Sequence, residues 1–404
     1  MASKKLNILM ISDVFFPRVN GVSTSIQTFT ESFLAEGHKV TLIAPDYPDK
    51  HLAEFPVIRI PSSKLPFDPE DRLMSKRKIS KLLPQLEKQQ FDLVHIQTPF
   101  VAHYAGVYLA KKLGIPSVVS YHTYFEAYFE KYLPWLPSGV LRKIARKYSA
   151  SQCNQVNGII SPSSQMLAKL REYGAESEAA VIPTGLKLDQ YQHDGDSSFR
   201  SKHNIDEDDQ VLLYVGRVAH EKNIPFLIDV FAEIVESNND VKFVIAGEGP
   251  AQKSLQNRVE VLGLEDQVIF VGYLDRETEL VDCYQSADIF VFSSETETQG
   301  LVLLEAMACN LPVVSVASMG SKDVLIDGEG CLISKLDTDE FSNKVMSLLT
   351  DPDYAKQLAE AGKHYVSQWS TEDKAKELQN FYHATLSDFH HKPLSATDEV
   401  LPNE

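Results

Sequence analysis

The feature that most constrains this chain is an alternation: short, continuous apolar runs rich in Val and Ile, each followed by a longer stretch of helical period. In the first half the runs are Asn7–Ser12, Lys39–Ala44, Val57–Ile60, Leu93–Ile96, Ser117–Ser120 and Gly158–Ser161. In the second they are Val211–Val215, Lys242–Ala246, Val268–Gly272, Asp288–Phe292, Pro312–Val316 and Cys331–Ser334. A strand that is apolar along its whole length must be covered on both faces, and strands separated by helices pair in parallel. The predicted class is therefore α/β, with two doubly wound, Rossmann-like domains. Polar stretches after Pro183, His193–Ser198 and Asp206–Asp209, have little to bury and mark the expected linker. The expected organisation is a domain over 1–190, a second over 205–370, a helix over 371–389 whose domain is left open, and a polar, flexible tail over 390–404. At roughly 150 residues per domain, 404 residues suit two or three domains.

Charge and cysteine usage exclude several classes. With 39 Lys+Arg against 56 Asp+Glu the net charge is −17, which disfavours general binding to a nucleic-acid backbone. The cysteines Cys153, Cys283, Cys309 and Cys331 form no C-x-x-C pair, so neither a disulfide framework nor a zinc knuckle is indicated and a reducing, cytoplasmic setting fits. The apolar run after Lys4-Lys5 is too short for a signal peptide and stops at Asp13. Nowhere do about 18 apolar residues run together, so membrane contact is expected to be peripheral.

In open parallel sheets ligands bind beyond the carboxyl ends of the strands, so the loops there carry the candidate chemistry. The first is Ser12–Gly21, opening a helix near Val22; Gly21 lets backbone approach a ligand, and the helix N-terminus offers N–H groups to an anion such as a diphosphate. An ordinary Asn-Gly turn would look the same. After Val211–Val215 come Gly216-Arg217 and then Lys222, two cations able to neutralise a leaving diphosphate, or two solvated surface charges. Gly247-Glu248-Gly249-Pro250 reads as a tight turn before a helix. No G-x-G-x-x-G follows the first strand of either half and no P-loop motif occurs, so a nicotinamide oxidoreductase and a P-loop nucleotidase lose support.

The most specific segment is Ser293–Ala308. Glu297 precedes a helix expected to begin near Gly300, and Glu305 lies within it among Leu303, Leu304, Ala306 and Met307. A carboxylate in such surroundings needs a partner, either the hydroxyls of a ribose or a buried ion pair or cap.

Taken together, the Ser12–Gly21 loop, Gly216-Arg217 with Lys222, the Gly247–Pro250 turn and Glu297-x7-Glu305 resemble the retaining glycosyltransferases of family 4, over nearly the whole chain. The resemblance implies the GT-B fold, two Rossmann-like domains facing across a cleft, the first binding the acceptor and the second a nucleotide-sugar donor. It implies that Arg217 and Lys222 hold the donor diphosphate, that Glu297 contacts the donor sugar and Glu305 the nucleotide ribose, and that the backbone at Gly300 and Leu301 lies by the sugar and phosphates. His122, in Ser120-Tyr121-His122-Thr123, matches the family's active-site histidine, so His122, Arg217, Lys222 and Glu297 are the expected catalytic set. Many relatives have Gly-Gly where this chain has Asn20-Gly21, which weakens the diphosphate role of Gly21. No D-x-D run lies near a donor loop, and Arg217 with Lys222 supplies the charge a metal would bring, so neither a cofactor nor a metal is expected.

The acceptor is approached through charge. From Lys131 to Lys169 there is no Asp or Glu. On a helical wheel Val140, Leu141, Ile144, Ala145 and Tyr148 fall on one side and Arg142, Lys143, Arg146 and Lys147 on the other, suiting either a helix on anionic lipid or a domain helix with a basic face. Trp135 is placed at the headgroup boundary, and Lys76-Arg77-Lys78 with Lys81 adds a second basic group. Tyr121-His122-Thr123 with the following aromatic and basic stretch, and Glu295–Gly300, most resemble the bacterial diacylglycerol glucosyltransferases. That implies a cytoplasmic enzyme, peripheral on the inner face of the cell membrane, moving a hexose from UDP-glucose to a lipid acceptor such as diacylglycerol. Alternatives are mannosyl transfer to phosphatidylinositol, a polysaccharide glycosyltransferase, a nucleotide-sugar epimerase of the same fold, or a sugar-nucleotide sensor.

Overall fold

The computed structural model describes residues 4–18, 20–48, 53–64, 72–122, 138–191, 198–275 and 279–391. Trp135 and Thr123 lie outside the described residues, as does the tail beyond His391. The chain forms two compact units. The first comprises Met1–Ser161, Leu167–Ile182 and Lys374–Glu404, and the second Pro162–Met166 and Pro183–Asp373.

Among the described residues the first unit holds nine strands: β1 (Asn7–Ile11), β2 (Lys39–Pro45), β3 (Val57–Ile60), β4 (Ser62–Lys64), β5 (Arg72–Met74), β6 (Leu93–Ile96), β7 (Ser117–Ser120), β8 (Gly158–Ser161) and β9 (Glu178–Val181). Seven form one sheet of order β3-β2-β1-β6-β7-β8-β9, every pair parallel, and β4 and β5 make a separate antiparallel pair. Asn7 stands opposite Lys39 and Ile8 opposite Leu93, so β1 is flanked by β2 and β6 and the strand order reverses at its edge with β6. β9 and the β4–β5 pair were not expected from the sequence; β9, Glu-Ala-Ala-Val, is a half-exposed edge strand with no apolar run.

The second unit carries β10 (Gln210–Val215), β11 (Val241–Ala246), β12 (Val268–Gly272), β13 (Ile289–Phe292), β14 (Val313–Val316) and β15 (Cys331–Ser334). Their order is β12-β11-β10-β13-β14-β15, again all parallel, with the reversal between β10 and β13. Val211–Tyr214, Phe243–Ile245 and Ile289–Phe292 are buried, together with Phe231, Tyr284 and Phe341 from the helices. These strands carry no polar face because helices cover both sides of the sheet.

Of the stretches expected to be the linker, Asp206–Asp209 lies inside the second unit, where Phe199 and Ile205 are buried, and residues 192–197 lie outside the described residues; the chain passes from the first unit into the main part of the second between Ile182 and Pro183. The C-terminal helix, Thr371–His391, has most of its length in the first unit, where Ala375, Leu378 and Tyr382 are fully buried. Gly158 leaves room there for the Phe381 ring, which would lie 2.8 Å from any Cβ at that position. Polar contacts fix the helix: Gln379 meets His38 Nε2 at 2.8 Å, and the Tyr382 hydroxyl meets His95 Nδ1 at 2.6 Å. His95 Nδ1 also meets Gln97 Nε2 at 3.1 Å, and its Nε2 meets Ser120 Oγ at 2.8 Å. The Gln97 amide N–H donates to Nδ1 and the Tyr382 hydroxyl can do so as well, which suits a neutral ring, and burial, aided by nearby His122, pushes its pKa down to about 3.

Candidate active site

In the second unit the candidate loops follow β10 and β13, where strand order reverses; in the first, Gly21 follows β1 at the reversal and His122 follows β7, one strand beyond it, and such a reversal is where an open parallel sheet leaves a crevice beyond its carboxyl edge. In the first unit the loop after β1 leads into helix α1 (Gly21–Ala35). Asn20 caps it, its side chain accepting from Ser23 N at 2.9 Å. Gly21 is exposed and a Cβ there would meet nothing within 4 Å, so no close protein packing requires glycine and the space above it is open. Arg59 braces the loop, donating to the Phe16 carbonyl at 2.9 Å and the Pro45 carbonyl at 3.0 Å. Asp13 accepts from Thr98 Oγ1 at 2.8 Å and from Ala102 N at 3.0 Å, capping helix α2 (Val101–Leu113); burial raises its pKa to about 6.

His122 follows β7 and is partly buried. Its Nε2 has no hydrogen-bond partner among the described residues, and burial lowers its pKa to about 4. The ring is therefore neutral at ordinary pH and can accept or donate a hydrogen bond.

The second unit places Arg217 and Lys222 after β10, Glu297 and Gly300 on the loop after β13, and Leu301 and Glu305 in the helix that follows it. Gly216 and Gly247 have φ of +152° and +132°, and a Cβ on Gly247 would lie 2.0 Å from the Gly216 carbonyl, so these two loops pack backbone on backbone. The Gly247–Pro250 turn thus holds the backbone on either side of Arg217, with Val218 N donating to the Glu248 carbonyl at 2.9 Å. Arg217 Nη1 is 3.9 Å from Glu221 Oε1, and its side chain stays more than one-third exposed. Lys222 ends a short turn, His220–Lys222, and its Nζ contacts Glu297 Oε2 at 2.5 Å. Residues 293–296 rest on the same turn, with Ser293 Oγ donating to the Asn223 carbonyl at 3.0 Å and Thr296 Oγ1 to that of Glu221 at 3.4 Å. Gly320 braces the far side, its N–H donating to the Glu297 carbonyl at 2.8 Å.

Gly300, at φ +88°, is the N-cap of helix α3 (Leu301–Ala308). The helix starts one residue after the motif's last loop position, aiming its first N–H groups outward from the β13 end. Glu305 is fully buried and accepts from the Tyr284 hydroxyl at 2.8 Å. The sequence left its partner open between a ribose and a protein group; in the structure a tyrosine 21 residues upstream supplies one bond. Among the described residues no three His, Cys, Asp or Glu side chains are grouped so as to hold a metal ion.

The basic helix of the first unit, α4 in order of description (Ser138–Cys153), is turned differently from the wheel reading. Its buried stripe is Leu141, Ala145, Ser149 and Gln152, while Val140 and Ile144 are 49% and 51% exposed. Packing chose the stripe that lets Tyr148 Oη and Gln152 Nε2 donate to the Pro99 carbonyl. Lys143 and Lys147 are exposed beside the two aliphatic residues, but Arg146 lies 5.3 Å over the Tyr173 ring and 3.3 Å from Glu172, so it is occupied within the unit. Arg142 is exposed. No described helix is long and apolar enough to cross a membrane.

Comparison with known proteins agrees with the fold. Residues 19–190 match the family model "Glycosyltransferase Family 4" and residues 196–365 "Glycosyl transferases group 1". The chain is 31% identical over 405 residues to an alpha-monoglucosyldiacylglycerol synthase of Streptococcus pneumoniae, covering 98% of this chain and 90% of that one. It is 27% identical to the enzyme of the same name from Acholeplasma laidlawii, covering 93% and 96%. Among solved structures, Anabaena HepE in complex with UDP-glucose superposes with a TM-score of 0.75 at 18% identity, covering 94% of this chain and all of that one. With two parallel, doubly wound units, the motif loops at both reversal points and near full-length similarity to named synthases, the chain belongs to the family 4, group 1 glycosyltransferases of the GT-B fold.

Proposed function

We propose that this glycosyltransferase moves glucose, with retention, from UDP-glucose to diacylglycerol at an anionic membrane surface. The observation that carries the reading is the near full-length similarity to two synthases of one name, alpha-monoglucosyldiacylglycerol synthase. Glucose is α-linked in its nucleotide sugars, so an α-glucoside product keeps the donor's configuration. The UDP-glucose complex of HepE, a protein of the same fold, supports the donor.

In this reading Arg217 and Lys222 bind the donor diphosphate and take up the charge that grows on it as the sugar leaves, without a metal. Lys222 exchanges part of its ion pair with Glu297 for the phosphate, leaving Glu297 to receive sugar hydroxyls. The N-terminus of helix α3 at Gly300 and Leu301 faces the phosphates, and Gly21 gives open approach from the first loop. Glu305, oriented by Tyr284, holds the ribose hydroxyls. Neutral His122 hydrogen-bonds the sugar. The bond from C1 to the phosphate oxygen breaks as the bond from C1 to the acceptor oxygen forms on the same face, and the acceptor's proton passes to the leaving phosphate oxygen.

The membrane part of the reading rests on helix α4. Half-exposed Val140 and Ile144 beside Lys143 and Lys147 form a face that is both apolar and basic, as an interfacial helix requires. Phe100 and Tyr104, at the start of helix α2, are exposed as well. Incubation with a panel of nucleotide sugars and lipid extracts, read by mass spectrometry, tests the whole reading. A glucosylated diacylglycerol formed from UDP-glucose is expected. A mannosylated lipid, a glycan product or an isomerised sugar nucleotide would replace it with one of the other readings.

A further inference from the structure

We propose that Gln299 is a positioning residue that ties the donor loop to the segment by which the chain enters the second unit. The inference rests on the donor-site reading above. Gln299 stands between Glu297 and Gly300, and the residue is 7% exposed. Its Oε1 accepts from Thr184 N at 2.9 Å, and its Nε2 donates to the Thr184 carbonyl at 2.7 Å. Both bonds go to backbone, 115 residues earlier in the chain, and Thr184 is itself 4% exposed.

Thr184 lies just past the crossing at Ile182 and Pro183. The neighbouring Leu186 pairs with the stretch leading into the return crossing: its N–H donates to the Trp369 carbonyl at 2.8 Å, and its carbonyl accepts from Thr371 N at 3.0 Å. Gly185 makes this approach possible, since a Cβ there would fall 2.6 Å from Thr371 Cα. The outgoing and returning segments are thus locked together, and the Gln299 amide grips the outgoing one. On its other side the loop is held by Gly320 and, through Glu297, by Lys222. A displacement of residues 183–186 is passed by two directional bonds to Gln299, and from there one peptide on to Gly300 and the helix N-terminus and two peptides back to Glu297.

The choice of side chain supports orientation over mere packing. An apolar residue of similar volume would fill the space but take both of these bonds from the buried Thr184 peptide, whereas a primary amide matches a peptide's donor and acceptor in one pose only. A carboxylate cannot replace it, because it offers no donor to the Thr184 carbonyl. A protonated carboxyl group can, with its O–H taking the place of the amide N–H.

That difference supplies the test. Gln299→Met, close in volume, should lower the rate of glucosyl transfer from UDP-glucose at least tenfold while changing the Kd for UDP less than threefold. Gln299→Glu should be similarly impaired at pH 8, and its activity relative to the unaltered protein should rise at least fivefold by pH 5.5 as the carboxyl group takes up a proton. A pH profile parallel to that of the unaltered protein, or full activity of Gln299→Met, overturns the proposal. Hydrogen exchange on the same proteins needs no substrate: Gln299→Met should accelerate exchange at least tenfold in both 183–187 and 295–300. Acceleration in neither or only one overturns the coupling. An unaltered protein without transfer activity refutes the functional reading alone, and exchange then decides the coupling by itself.

Discussion

Replacing Glu297 with Gln should strengthen UDP binding while abolishing most transfer. Lys222 Nζ and Glu297 Oε2 are 2.5 Å apart, and both side chains are less than one-fifth exposed. Two unit charges about 4 Å apart attract by about 4 kcal/mol at an effective dielectric of about 20, and desolvation of both ions cancels much of that. A diphosphate arriving at Lys222 has to share the ammonium with a carboxylate and approach that carboxylate's charge. Neutralising Glu297 removes both obstacles, for a gain of about 1 kcal/mol, or roughly fivefold in the Kd of UDP. Transfer should fall about 10²-fold, because a charged hydrogen-bond acceptor on the sugar is lost at the stage where it acts. Calorimetric titration with UDP and initial rates with UDP-glucose measure the two effects. UDP binding that is weaker, or transfer that is unimpaired, would refute the reasoning that Lys222 is shared between Glu297 and the diphosphate.

Arg217→Ala should reduce kcat about 10²-fold or more with a smaller change in UDP affinity, as steady-state kinetics beside calorimetry would reveal, since charge on the departing diphosphate grows in the transition state. Lys143→Gln with Lys147→Gln should release the protein from vesicles containing anionic lipid, and raised salt should do the same to the unaltered protein; co-sedimentation reads both, and Arg146→Gln should have the smaller effect because Glu172 and Tyr173 occupy that side chain. His95 stays neutral in the fold down to about pH 3 whereas an unfolded histidine takes up its proton near pH 6.5, so between those values the unfolded chain binds more protons and stability is lost as the pH is lowered. Urea midpoints at pH 7.5 and pH 4.5 should differ less for His95→Gln than for the unaltered protein.

The strands were legible because parallel sheets covered on both faces leave uninterrupted apolar runs, and Val211–Val215 or Lys242–Ala246 can be read directly. The edge strand Glu178–Val181 was not, since it buries little and carries no run. The motif residues were legible as a set, and in the structure Arg217, Lys222, Glu297 and Gly300 lie on adjoining loops of one unit, with Glu305 in the helix that Gly300 opens. What holds them there was hidden. Tyr284 on Glu305 and Thr184 on Gln299 are contacts across 21 and 115 residues, and neither leaves a local pattern. The docking of the last helix onto the first unit depends in the same way on Tyr382 meeting His95 and on Phe381 filling the space over Gly158. Helix α4 illustrates a different failure: its period was correct, but both Leu141 with Ala145 and Val140 with Ile144 offer an apolar stripe. Hydrogen bonds from Tyr148 and Gln152 to the Pro99 carbonyl selected the first.

The most direct test of the central claim is the anomeric configuration of the first-formed product. The protein is incubated with UDP-glucose labelled at C1 and vesicles of diacylglycerol in anionic phospholipid, and the glycolipid is examined by NMR before a second turnover. Retaining transfer to diacylglycerol predicts a single labelled product, α-glucosyl diacylglycerol, identified by its small one-to-two proton coupling. A β-linked glucoside, or label that stays in the sugar nucleotide while diacylglycerol is unchanged, would contradict it.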